Sequence, residues 1–60
     1  MKLTIIFKNG HIFRQYYLDV VNIEEKLFQF EITVNSPVGD MENRSLIHRR
    51  ETIQEIKLEP

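Results

Sequence analysis

Lys2-Leu3-Thr4-Ile5-Ile6-Phe7-Lys8-Asn9-Gly10-His11 is the stretch whose reading decides the fold. From Lys2 to Lys8, Leu3, Ile5 and Phe7 share one face and Thr4, Ile6 and Lys8 the other. That is the period-two alternation of a strand, built from β-branched and aromatic residues. Asn9-Gly10 follows at once. Asn-Gly between strand-like runs predicts a hairpin with a type I′ turn, which needs positive φ at both central residues. His11 should therefore open a second strand, antiparallel to the first.

That second run, His11 to Val21 (HIFRQYYLDVV), carries apolar residues on both faces. Ile12, Arg14, Tyr16, Leu18 and Val20 alternate with Phe13, Gln15, Tyr17, Asp19 and Val21. A strand curling through a small barrel has this pattern, and so does one with a bulge that swaps faces midway. The reading places a bend between Tyr16 and Asp19. Asn22 to Glu25 is polar and fits a turn.

Lys26 to Asn35 (KLFQFEITVN) alternates best of all. Phe28, Phe30, Ile32 and Val34 are expected in the core, with Leu27, Gln29, Glu31 and Thr33 toward solvent. A slip of one residue would bury Glu31, which pins the register. Ser36-Pro37-Val38-Gly39 begins a turn, and the polar loop runs on to Asn43. Arg44 to Arg49 reads as a fourth strand with Leu46 or Ile47 inward. Ile53 and Ile56 are three apart, but Ile56 and Leu58 are two apart. That change of period predicts a 3₁₀ turn around Arg50 to Ile53, then a last strand from Glu55 to Glu59. EEKLFQF from Glu24 could begin a helix, but the alternation beyond it favours a strand.

The expected fold is all-β: one small domain over residues 1–60, with five antiparallel strands and a 3₁₀ turn before the last. They form a small barrel of SH3-like or Sm-like layout or a strongly bent sheet, the last strand returning beside the first to hide its edge. The other solution is an open twisted sheet that needs a second copy to cover its apolar face.

Composition sets the limits. Sixty residues form one domain at most, and a chain this short buries only about 60% of the surface its unfolded form exposes. With no Cys, disulfides and Cys-ligated zinc are excluded. Self-association or docking on a partner is the usual remaining help for so small a core. The longest apolar run, Ile5-Ile6-Phe7, is far short of a membrane span. Met1 and Lys2 are not expected to begin a signal peptide, and the expected compartment is the cytoplasm. A net charge of -1 is not that of a basic nucleic-acid-binding domain.

Phe7-Lys8-Asn9-Gly10-His11 resembles the strand-turn-strand opening of Sm-like proteins. Ile47-His48-Arg49-Arg50-Glu51-Thr52-Ile53-Gln54-Glu55-Ile56 is similar in layout to their second motif, with Arg50 where the family has Gly. Asp19 lies near the family's uracil-contacting Asp, with no Asn beside it. The resemblance implies a barrel and raises RNA binding as an expectation. The Lys-rich opening strand, the F-K-N-G turn and the closing Ile-x-x-Ile-x-Leu strand also resemble short proteins of Gram-positive bacteria and their phages.

No catalytic set is legible. Ser36, Ser45, Thr4, Thr33 and Thr52 have no His or Asp at a motif spacing. His11 and His48 read as surface residues rather than metal ligands, and Glu24-Glu25 as a solvated turn. Gly10 and Gly39 cannot make a phosphate loop. No enzyme activity, cofactor or metal is expected.

Two interaction readings remain. In the first the chain is a non-enzymatic, self-associating interaction or structural module of phage or prophage type. Its partner is another protein or its own copy, forming a homo-oligomer, and its contacts come from Phe13, Tyr16, Tyr17, Val38 and Met41. The alternative is an Sm-like or other single-stranded nucleic-acid binder using Arg44, His48, Arg49 and Arg50 with a stacking Tyr. Arg49 and Arg50 are expected to pair with Glu51 and Glu55, and a strand would send them to opposite faces.

Overall fold

The computed structural model describes residues 1–35 and 43–60. The described elements are β1 (Lys2–Phe7), β2 (Ile12–Tyr16), β3 (Asp19–Glu25), β4 (Gln29–Asn35), β5 (Asn43–Arg49), a 3₁₀ turn η1 (Arg50–Thr52) and β6 (Ile53–Glu59). The fold is all-β. The strands form two three-stranded antiparallel sheets, ordered β2-β1-β6 and β3-β4-β5. Among the described residues the ladders do not join the two sheets into a closed barrel.

The central strands supply the core because, among the described residues, only they are paired on both edges. Leu3 and Ile5 of β1 and Ile32 and Val34 of β4 are fully buried, and Ile53 joins them at the start of β6. Phe7, Phe13, Tyr17, Val20, Phe30, Leu46 and Ile56 pack around this centre, half-buried. Two sheets each turning one apolar face inward are the smallest arrangement that covers both faces. Leu46, not Ile47, is the inward residue of β5.

The first hairpin forms where expected but with a different turn. Gly10 N–H donates to the Phe7 carbonyl at 2.9 Å, and Phe7 N–H donates to the His11 carbonyl at 2.9 Å. Gly10 has φ +91°, while no described non-glycine residue has positive φ. This is a three-residue loop with glycine in the left-handed position, not a type I′ turn. Asn9 keeps negative φ and uses its side chain: Oδ1 accepts the His11 N–H at 2.9 Å.

The long second run breaks between Tyr16 and Asp19, as its mixed faces implied, so six strands stand among the described residues where five were expected. Tyr17 N–H still donates to the Met1 carbonyl, while Leu18 N–H donates to the Asn35 carbonyl in the other sheet. The chain thus changes sheets between neighbouring residues. A bulge at Val20 to Asn22 then resets the register.

The next expectations need correction. Asn22 to Glu25, read as a turn, belongs to β3. The turn falls instead on Lys26 to Phe28, so β4 begins at Gln29. Phe28, expected in the core, is 79% exposed. The 3₁₀ turn is present at Arg50–Thr52. The last strand starts earlier than expected, at Ile53, and pairs with β1. No helix among the described residues is long and apolar enough to cross a membrane.

Candidate interaction surface

The β3–β4 hairpin closes on Leu27 and Phe28, the most exposed large apolar residues described, at 74% and 79%. Lys26 N–H donates to the Gln29 carbonyl at 2.8 Å and seals the loop. The loop between the paired Glu25 and Phe30 runs from Lys26 to Gln29. Short hairpin loops commonly carry Gly, Asn or Asp, at positive φ in the primed turns. Leu27 and Phe28 are neither those residues nor at positive φ. The tip forgoes ordinary turn chemistry and holds two apolar side chains in water.

Neighbouring segments brace it. Arg50 N–H donates to the Phe28 carbonyl at 3.0 Å, and Arg50 Nε lies 2.9 Å from Glu25 Oε1. Lys8 N–H donates to the Thr52 carbonyl at 2.9 Å, tying the first hairpin loop to η1. The Thr52 hydroxyl donates to the Arg49 carbonyl at 2.7 Å. Between these segments opens a groove of about 780 Å³, walled by Phe28, floored toward the core by Phe30 and Ile53, and edged by Lys8, Arg49 and Arg50.

The groove's rim mixes charges. Arg49 lies 3.6 Å from Glu51, both largely exposed, and pairs of that kind contribute little in water. Beneath the tip, Lys26 Nζ lies 2.7 Å from Glu31, and Gln29 Nε2 donates to the same carboxylate at 3.0 Å. The hydrogen bond to Glu31 holds the Lys26 pKa above its ordinary range, and the bond from Lys26 holds that of Glu31 below its own.

The residues singled out from sequence scatter across this frame. Phe13 and Tyr17 turn inward against the core, and burial raises the Tyr17 phenol pKa. Tyr16 points out and is 66% exposed, opposite Lys2 in the ladder. Val38 and Met41 lie outside the described residues. Arg49 and Arg50 do not part to opposite faces, because Arg50 sits in η1 and both reach the groove. Arg50 pairs with Glu25 rather than with Glu51 or Glu55. Arg44 stands at the other end of β5, opposite Val34, roughly 17 Å of strand away. His48, read as a surface residue, is half-buried and meets the Phe7 ring edge-on, centroids 5.4 Å apart; His11 lies 6.2 Å from the same ring. No group of three or more His, Cys, Asp or Glu able to hold a metal occurs among the described residues.

Sequence reasoning placed Leu27 toward solvent, as found, but within a strand, and it missed Phe28 and Lys8. The alternation of KLFQF hid the tip, and no Gly, Pro or Asn marked the turn.

No family model, curated protein or solved structure matches this chain significantly.

Proposed function

We propose that this chain is a non-enzymatic, self-associating interaction module of the small SH3-like or Sm-like barrel kind. The strand order supports the barrel part. Reading β2 and β3 as halves of one bent strand leaves five, with η1 before the last. The observation that carries the interaction part is the Leu27–Phe28 tip. Two large apolar side chains occupy a turn that polar residues would close better, and they add nothing to the core. Tyr16 adds a second exposed aromatic on the outer face of β2. The reading keeps a protein partner or a second copy, no cofactor and a cytoplasmic setting of phage or prophage type. Mass in solution, by size-exclusion chromatography with light scattering at two protein and two salt concentrations, tests it. Mass rising with concentration supports it; 7.2 kDa throughout overturns self-association.

A second reading has its own support. Exposed Phe28 beside Lys8, Arg49 and Arg50 would suit an unpaired base and its phosphates. Fluorescence anisotropy with labelled single-stranded RNA and DNA separates the two. Binding that falls steeply between low and moderate salt, and vanishes in Arg49→Glu, supports the nucleic-acid reading. No binding at low salt removes it.

A further inference from the structure

We propose that the tip and groove form one self-complementary patch, through which two copies of this chain dock about a two-fold axis. The inference rests on the interaction-module reading and names its partner. Leu27 and Phe28 themselves line the groove while staying largely exposed, so the tip and the recess belong to one patch. A projection and a recess on one patch meet the requirement of an isologous contact: where residue i of one chain touches residue j of the other, the reverse contact forms too. One axis then seats both tips and closes the assembly at two chains.

The charges favour a second copy over other occupants. Lys8, Arg49 and Arg50 edge the groove together with Glu25 and Glu51. A polyanion gains from the first three and is repelled by the last two. Within one chain Arg50 pairs with Glu25 and Arg49 with Glu51, and a second copy brings the same two exposed pairs, which can exchange partners across the axis. The groove floor is apolar where Phe30 and Ile53 reach it, which suits a Leu or Phe side chain. The core also needs the added burial, since only five apolar side chains are buried among the described residues.

The test is sedimentation equilibrium on the full chain and three variants, each checked for fold by circular dichroism. Leu27→Asn with Phe28→Gly installs an Asn-Gly turn and removes the projection without touching the core. Phe28→Ser removes only the ring, and Phe28→Leu keeps an apolar projection. The expected result is twice the 7.2 kDa chain mass for the native chain and for Phe28→Leu. Dissociation constants should be at least about tenfold weaker for Phe28→Ser and for the double variant. A dimer unchanged in the double variant overturns the two-fold patch but leaves self-association standing through another surface. An assembly of about five to seven copies does the same and points to strand edges. A single-chain mass at every concentration overturns both.

Discussion

The β1–β2 and β3–β4 hairpin turns solve the same problem by different means. The β1–β2 loop uses Gly10 at positive φ and the Asn9 side chain to close on His11. The β3–β4 turn has no such residue and closes on Leu27 and Phe28, braced from outside by Arg50 N–H. A turn that follows local chemistry holds itself, and its side chains stay polar. A turn that departs from it needs tertiary support, and what it gains is a pair of apolar side chains held out in water. Departures of this kind concentrate where a protein meets something else.

The largest effect should come from what both hairpins share. Ile32→Ala, in the strand leading out of the second turn, removes a fully buried side chain and should cost about 2–5 kcal/mol. In so small a domain this leaves the chain largely unfolded by circular dichroism at 25 °C. If Ile32→Ala melts within a few degrees of the native chain, the two sheets do not share a core.

Next comes the first turn. Gly10→Ala meets no steric obstacle but forces an L side chain to φ +91°. It should cost about 1–2 kcal/mol, a fall in Tm of roughly 5–15 °C. The second turn should respond in the opposite direction. Leu27→Asn with Phe28→Gly supplies the chemistry that hairpin lacks. At concentrations where the chain is monomeric, its Tm should hold or rise by a few degrees. A fall as large as that of Gly10→Ala would mean that the tip is part of the fold and not a contact surface.

The smallest effect concerns the ion pair beneath the second turn. Glu31 has its pKa lowered by Lys26, so its contribution is present above the ordinary carboxylate range and is lost as pH falls through the lowered value. Lys26 has its pKa raised, so its share is lost as pH climbs through the raised value. Glu31→Gln should therefore flatten the acid side of a Tm-against-pH curve. Tyr17 bears on the alkaline side: its raised pKa means stability falls once pH passes the ordinary tyrosine range, and Tyr17→Phe should reduce that fall.

Much of the fold was legible in the chain. Alternation in KLTIIFK and in FEITV placed β1 and β4 and the residues that became the core. Asn9-Gly10 placed the first hairpin, and the spacing of Ile53, Ile56 and Leu58 placed η1. The apolar residues on both faces of HIFRQYYLDVV announced a bend. These features depend on side-chain period and turn chemistry, which act over a few residues.

The candidate surface was not legible, for the converse reason. LFQF alternates as well as any strand, and only the pairing of Glu25 with Phe30 turns its first two residues into a tip. Arg49 and Arg50 share a groove only because η1 interrupts the alternation between them and because the second hairpin lies against it. Tyr17 turns inward and Tyr16 outward where the chain changes sheets, Tyr17 N–H bonding to Met1 and Leu18 N–H to Asn35 of the other sheet. The sequence by itself determined which residues could be strand and core, because burial repeats with the backbone. Which apolar residues were left outside, and what they stand beside, was decided only when two sheets formed from pairings distant along the chain.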